Sequence, residues 1–332
     1  VKLTIGIPTY NRANLLFNLL ENISQQIRGA VNFEVEILVS DNASTDNTFD
    51  IIKSFKDSNP DIKIKLHSNN CNIGYDENVN MLFQLATGDY VMTLSDDDGL
   101  ESNAINTIKN ILDKNYGVKI VYIANNFYDC NLKNKVDIND PFFKNIGNNR
   151  YFQSAKDLFL TSKAIFGGIS GLCIERKSWL ETNVKKYFGT NWIHLGVTLN
   201  ILIYADIYVI AEPLIKYRMD NKGSRWNSLE TSLGIQRILL EFYKIFPNVI
   251  EEIYNEHRHQ TRLSLIYLDC SKHAINKKKL LSNMRMAFDV NNLSFWLIDL
   301  PLLYLPSILL KWTYSLYSQT KKITRKIFKS FL

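Results

Sequence analysis

Five short runs rich in β-branched and other apolar residues recur through the first part of the chain: LTIGI (3–7), VEILV (35–39), IKIKL (62–66), YVMTL (90–94) and VKIVYI (118–123). Each of the first four is followed by a segment of helical period. A strand that leads into a helix and then into another strand returns to the same sheet in parallel, so the pattern predicts an α/β fold: a mostly parallel, twisted sheet with flanking helices. In NRANLLFNLLENISQQ, Leu15, Leu16, Leu19, Leu20 and Ile23 share one helical face. Ser44 or Thr45 is placed to cap the helix in STDNTFDIIKSF, and further helices are expected near 75–87 and 102–114. Residues 125–165 read as a long polar and aromatic excursion. A second structured stretch covers 164–174 and 208–219, and helical periodicity dominates from about residue 230.

Ligands of such sheets bind beyond the carboxyl ends of the strands, and three of those ends carry polar residues. YVMTL runs into Ser95-Asp96-Asp97-Asp98. Adjacent carboxylates raise one another's pKa unless a cation neutralises them. Hard oxygen ligands suit Mg²⁺ or Mn²⁺, which keep positions open for substrate phosphates. A calcium loop of the EF-hand type is excluded, because its acids alternate. The bland alternative is an acidic cap for the helix near Ser102, for which one Asp would suffice. IPTYNR (7–12) places a proline, an aromatic and a cation after the first strand, and VSDNASTDNT (39–48) places Asp41 after the second. Taken singly, Asp41 and its neighbours also suit an ordinary turn.

Together with NIGYDENVNMLFQLATGDYVMTLSDDD (72–98), these blocks resemble the signature blocks of family 2 glycosyltransferases with the Rossmann-like GT-A fold, over roughly residues 3–220. LSDDD and GGISG look most like the O-antigen or abequosyl-type branch of bacterial envelope synthesis. The resemblance implies inverting transfer of a sugar from a nucleotide-sugar to an acceptor hydroxyl. It implies that Pro8, Tyr10 and Arg12 line the nucleotide pocket and that Asp41 contacts the base. Asn72 and Gly74 match the family's N-x-G turn, and Asn80 matches the asparagine that follows, with Val79 where an arginine is often found. Asp96 would lie near the ribose or the metal. The register of the D-x-D motif leaves either Asp97 or Asp98 as the main ligand, so Asp96, Asp97 and Asp98 are all kept in the metal site. The implied cofactors are Mn²⁺ or Mg²⁺ and a nucleotide-sugar, with UDP the family's commonest nucleotide and CDP or dTDP as alternatives.

Ile193-His194 stands where the family commonly has an acidic pair before an apolar helix. An imidazole of ordinary pKa, about 6.5, suits deprotonation of a sugar hydroxyl, so His194 is the candidate base. The alternative is a histidine that positions the acceptor or caps the helix, and Asp206 is an outside candidate. Gly167-Gly168 and Ser170-Gly171 would allow close backbone approach beside the acceptor. Arg218, Lys222 and Arg225 either close over the diphosphate or lie in an exposed loop. A nucleotidyltransferase is disfavoured because no Gly-rich phosphate loop with Arg and Lys follows the first strand. A non-catalytic sugar-binding or membrane-scaffold protein of the same fold is the remaining alternative. His257 and His259, two residues apart on a helix, face different ways and read as a solvated face.

Charge locates the rest. The net +6 arises entirely after Asp299, where Lys311, Lys321, Lys322, Arg325, Lys326 and Lys329 meet no acid. A balanced body disfavours nucleic acid as a partner. LPLLYLPSILL (300–310) is too short for a spanning helix, which needs roughly 20 apolar residues. Helical projection of 316–331 separates Leu316, Ile323, Ile327 and Phe331 from the cations, the pattern of a helix lying on an anionic membrane. An ordinary amphipathic helix packed on the domain is the alternative. The expected organisation is a transferase domain over 1–225, a helical extension over 226–299 and a basic membrane-associating tail over 300–332. Scattered Cys71, Cys130, Cys173 and Cys270, without a C-x-x-C pair, and an opening segment unlike a signal peptide fit a reducing compartment. The expected location is cytoplasmic, peripheral at the inner face of the cell membrane, with a polyprenyl-linked glycan as acceptor.

Overall fold

The computed structural model describes residues 1–30, 34–114, 117–138, 140–219, 229–267, 277–289, 291–292 and 295–300. The chain divides into two compact units, Val1–Ser224 and Arg225–Leu332.

The first unit opens with the expected alternation: β1 (Lys2–Thr9), α1 (Ala13–Arg28), β2 (Glu34–Asp41), α2 (Thr48–Ser58), β3 (Ile64–Ser68), α3 (Tyr75–Leu85), β4 (Tyr90–Thr93), β5 (Gly99–Leu100), α4 (Ala104–Lys114) and β6 (Ile120–Tyr128). Burial along β1 and β2 is almost continuous, as expected of strands covered on both faces. Period two still sorts the faces. Leu3, Ile5, Ile7, Val35, Ile37 and Val39 join Leu16, Leu20 and Ile23 of α1, Ile52 and Phe55 of α2 and Ile105 and Ile108 of α4 in one apolar core. The intervening residues meet α3: a Cβ on Gly6 would lie 3.3 Å from Leu82, and Ser40 donates to Asn78 at 2.8 Å.

The polar stretch after residue 125 is more ordered than its sequence predicts. β6 runs on to Tyr128, and α5 (Pro141–Ile146), β7 (Arg150–Phe152) and α6 (Ala155–Ser162) follow. Phe142, Phe143 and Phe166 gather around Tyr122 at ring-centroid distances of 5.0–5.4 Å, so these aromatic residues are core, not loop. Then come β8 (Leu172–Glu175), α7 (Arg176–Glu181), a 3₁₀ turn at Val184–Tyr187, α8 (Ile193–Leu202) and β9 (Ile207–Arg218). One sheet results, in the order β3-β2-β1-β4-β8-β6-β9-β5, with β7 also on β9. The β3-β2-β1-β4 half is parallel. Beyond it β8 enters antiparallel between β4 and β6, and the parallel pairing resumes only at β6 with β9. Gly171, at the turn into β8, has φ +86, and a Cβ there would lie 2.8 Å from the Ile123 carbonyl. That position requires glycine.

The second unit contains α9 (Leu229–Ile245), α10 (Pro247–Tyr267), α11 (Lys277–Ala287) and a π turn at Phe295–Asp299. Asp299 is fully buried and paired with Arg258 (2.7 Å) and Arg262 (2.5 Å). His257 is half-buried rather than solvated, and burial lowers its pKa. Among the described residues no helix is long and apolar enough to cross a membrane. The basic tail lies outside the described residues.

Candidate active site

The carboxyl ends of β1, β2 and β4 are laced together by side chains of the loops that follow them. From β1, Thr9 donates to Asp96 (2.7 Å), and the Arg12 guanidinium pairs with Asp97 and lies 3.7 Å from Asp96. Asn11, in a left-handed conformation (φ 55), donates its amide to Ser44 (2.8 Å) and accepts from the Thr45 amide (2.7 Å). From β2, Asn42 accepts from the Ile73 amide (2.9 Å) and donates to Asn72 (2.9 Å) and the Gly74 carbonyl (3.3 Å). Pro8 is half-buried and Tyr10 is exposed at the same rim.

Asp41 ends β2 as expected, buried, with its carboxylate already accepting from the Ser44 amide and hydroxyl and from the Ser68 hydroxyl. This corrects the capping expectation. Ser44 serves Asp41, and α2 starts later, at Thr48, whose amide donates to Asp46 (3.0 Å). Asn72 holds its own turn by accepting from the Gly74 amide (2.9 Å), and Gly74 has φ +90. Asn80 is buried and accepts from the Trp179 indole at 3.0 Å, a packing role on the far side of α3.

The three aspartates occupy three situations. Asp98 is buried, receiving the Ser170 hydroxyl (2.5 Å) on one oxygen and the Arg218 amide (2.9 Å) on the other. Asp96 is buried under Thr9. Asp97 keeps 27% of its side chain exposed and accepts from Ser95 (2.6 Å) and Arg12. Burial pushes the Asp96 pKa up to about 7 against the lowering pull of Arg12, and burial followed by the charge of Asp97 raises Asp98. The loop is therefore short of positive charge. The donor set fits a hard divalent cation, which would relieve that shortage. Among the described residues no three His, Cys, Asp or Glu side chains are arranged to hold such an ion unaided, so part of its shell would come from a ligand.

Arg218 does not face outward: it donates to the carbonyls of Asp97 (2.5 Å) and Cys130. Lys222 and Arg225 lie outside the described residues. Asp206 stands just before β9, bound to Tyr151 and the Lys119 amide, at the opposite end of that strand from Arg218.

His194 lies in the first turn of α8 and is 2% exposed. Its Nε2 lies 3.3 Å from the Gly167 carbonyl, which can only accept, so Nε2 carries the proton and Nδ1 the lone pair. Nδ1 is buried without a hydrogen-bond partner. Burial lowers the pKa to about 4, partly opposed by Gly167, so the ring is neutral at pH 7. Trp192 and Tyr75 flank it, with ring centroids at 5.3 and 6.3 Å.

Sequence reasoning missed Asp76. Helix α8 has no acid in its first turn and no side-chain cap of its own. Asp76 of α3 supplies one from across the fold, accepting from the amides of Asn191 (2.9 Å) and Ile193 (3.0 Å). Thr9, which holds Asp96, was also unmarked, and Ser170, expected only to allow close backbone approach beside the acceptor, instead donates its hydroxyl to Asp98.

The family model described as Glycosyl transferase family 2 matches residues 4–182. Abequosyltransferase RfbV of Salmonella typhimurium is 27% identical over 256 residues, 71% of each chain. The GalNAc(5)-diNAcBac-PP-undecaprenol beta-1,3-glucosyltransferase of Campylobacter jejuni is 28% identical over 257 residues, 74% of each chain. Among solved structures, S. aureus TarS 1-349 in complex with UDP-GlcNAc superposes with a TM-score of 0.59 at 16% identity, covering 87% of this chain and 82% of that one. Mannosyltransferase PcManGT from Pyrobaculum calidifontis, in complex with GDP-Man and Mn²⁺, gives 0.53 at 16%, covering 85% and 78%. The fold is that of the GT-A glycosyltransferases.

Proposed function

The chain belongs to glycosyl transferase family 2, and on that premise we propose that it is an inverting, divalent-metal-dependent transferase. It moves a hexosyl or deoxyhexosyl group from a nucleotide-sugar to a hydroxyl of a polyprenyl-linked glycan in bacterial surface polysaccharide synthesis. The observation that carries this reading is the lacing of the β1, β2 and β4 ends into one polar rim, with Tyr10, Arg12, Asp41 and the aspartate loop within it. The relatives named for abequosyl transfer and for an undecaprenol-diphosphate-linked substrate support the acceptor class. The UDP-GlcNAc and GDP-Man complexes of fold neighbours support a nucleotide-sugar donor. UDP is the first nucleotide to test, CDP follows from the abequosyl-type likeness, and dTDP completes the set.

Tyr10 is exposed and offers a face on which a base can stack. Asp96 and Asp97 are the residues that would hold the cation, Asp97 because its carboxylate faces solvent beside Ser95 and Arg12, while Asp98, buried between Ser170 and Arg218, shapes the loop. The bound cation neutralises charge gathering on the departing nucleoside diphosphate. His194 accepts the acceptor hydroxyl's proton at Nδ1. At a pKa of about 4 its base strength is that of an ordinary carboxylate, and it is always in its proton-accepting form at pH 7. The transferase domain spans 1–225, the helical extension 226–299, and the basic tail from residue 300 holds the enzyme at an anionic cytoplasmic membrane face.

A thermal-shift panel of UDP, CDP and dTDP with and without Mn²⁺ tests the donor site. A ligand at 100 times its Kd adds about 2.7 kcal/mol of stability. One diphosphate is expected to raise the Tm, and to do so only with Mn²⁺. A flat panel for all three would refute the reading.

A further inference from the structure

The aspartate loop carries its own cation. Arg12 precedes α1, and its backbone is pinned there: its carbonyl accepts from the amides of Leu15 (3.1 Å) and Leu16 (3.0 Å), and its amide donates to Thr48 (3.3 Å). Its side chain is 34% exposed, lies on the Asp97 carboxylate and comes within 3.7 Å of Asp96. Asp97 is the one aspartate of the three left open toward solvent, since Asp96 is covered beside Thr9 and Asp98 is closed by Ser170 and Arg218. The carboxylate that an incoming metal ion reaches first is thus the one that Arg12 covers.

A guanidinium and a divalent cation on the same carboxylate repel each other, so one must yield. Only the Arg12 side chain has to turn, because its backbone is fixed. When it leaves Asp97 it needs a new anion, and a diphosphate arriving with the metal ion provides one that a planar fork of donors suits well.

We propose that Arg12 is an exchangeable counter-ion, which neutralises Asp97 in the free enzyme and passes to the donor's diphosphate when the divalent cation takes its place. This rests on the reading of the loop as a nucleotide-diphosphate and metal site. It makes cation and diphosphate mutually dependent: the cation alone must displace Arg12 into water, and the diphosphate alone faces three carboxylates. Such coupling is reciprocal by linkage.

The test is a Mn²⁺ titration of the full chain followed by the EPR signal of free Mn²⁺, for wild type, R12Q and R12K, each alone and with saturating UDP, CDP or dTDP. Without nucleotide, R12Q should bind Mn²⁺ about tenfold more tightly than wild type, while R12K, which keeps the charge, should stay near wild type. Adding the active nucleotide should tighten Mn²⁺ binding at least tenfold in wild type and far less in R12Q. Equal or weaker nucleotide-free Mn²⁺ binding by R12Q, with wild type still binding Mn²⁺ beside a nucleotide, overturns the exchange and leaves the site reading standing. No Mn²⁺ binding by wild type with any of the three nucleotides overturns both. If R12Q does not fold, R12K and R12M carry the same comparison of charged against neutral side chains.

Discussion

In the loop after β4, Asp97 keeps a part-exposed carboxylate, held by Ser95 and Arg12, while Asp98 is buried with one oxygen on the Ser170 hydroxyl and the other on the Arg218 amide. Their substitutions should therefore separate. Asp97→Asn gives up a part-exposed ion pair with Arg12 and should cost no more than about 1 kcal/mol, yet abolish the Mn²⁺-dependent nucleotide shift. Asp98→Ala leaves two buried donors unpaired, a loss of about 1–3 kcal/mol. Urea unfolding of both variants checks this, and a stable, fully nucleotide-responsive Asp97→Asn would contradict the role. The crowding of three acids at a strand end was legible, because adjacent carboxylates are visible in any sequence. Which oxygens were spent was not legible, because Ser170 and Arg218 are 72 and 120 residues away. His194 shows the same limit: the residue type was visible, its burial was not. Its folded pKa of about 4 lies below the unfolded 6.5, so the unfolded state takes up the proton first. The neutral ring's contribution is complete above pH 6.5 and is lost as pH falls toward 4, by about 2 kcal/mol between pH 6.5 and 5. Comparing the pH 7 to pH 5 stability change of wild type and His194→Phe isolates it, and the variant should lose less. Equal losses would show that the ring titrates normally.

At the level of elements, strand-then-helix alternation was enough to place β1 through β4 and their helices, because apolar period is local. The antiparallel entry of β8 was not readable, since it depends on a turn at Gly171 that only the Ile123 carbonyl explains. Nor was the stretch 141–162, where helices and a strand are held by aromatic packing around Tyr122 rather than by period. The cap of α8 is the clearest case. Its carboxylate comes from Asp76, 115 residues before Asn191, and no window around residue 193 contains it. Asp76→Ala leaves the first turn of α8 uncapped at a buried site, and should cost about 1–3 kcal/mol by urea unfolding. Gly196, one turn further on, is equally fixed: a Cβ there would lie 2.4–2.7 Å from ring atoms of the buried Tyr187. Gly196→Ala should be similarly destabilising. A wild-type midpoint for Asp76→Ala would mean that water caps the helix as well as the carboxylate does.

For the whole molecule, the decisive asymmetry is that 33 acidic residues are matched by as many cations before residue 300, and six further cations follow with none opposing them. A balanced body has no net field to draw it to an anionic surface, whereas a short segment with six like charges does. Each Lys or Arg near an anionic bilayer adds about 1 kcal/mol, and that attraction fades within a Debye length, about 8 Å at physiological salt. Six cations therefore supply up to about 6 kcal/mol at low salt, ample to hold the chain at an anionic bilayer as the proposed function requires. The 332-residue chain should sediment with vesicles containing anionic lipid, dissociate as salt is raised toward 0.5 M, and ignore neutral vesicles. A chain ending at residue 299 should stay in the supernatant while keeping the nucleotide-dependent thermal shift. Unchanged sedimentation of that shortened chain would move the membrane contact to the body, where the balanced charge leaves apolar surface as the remaining attraction.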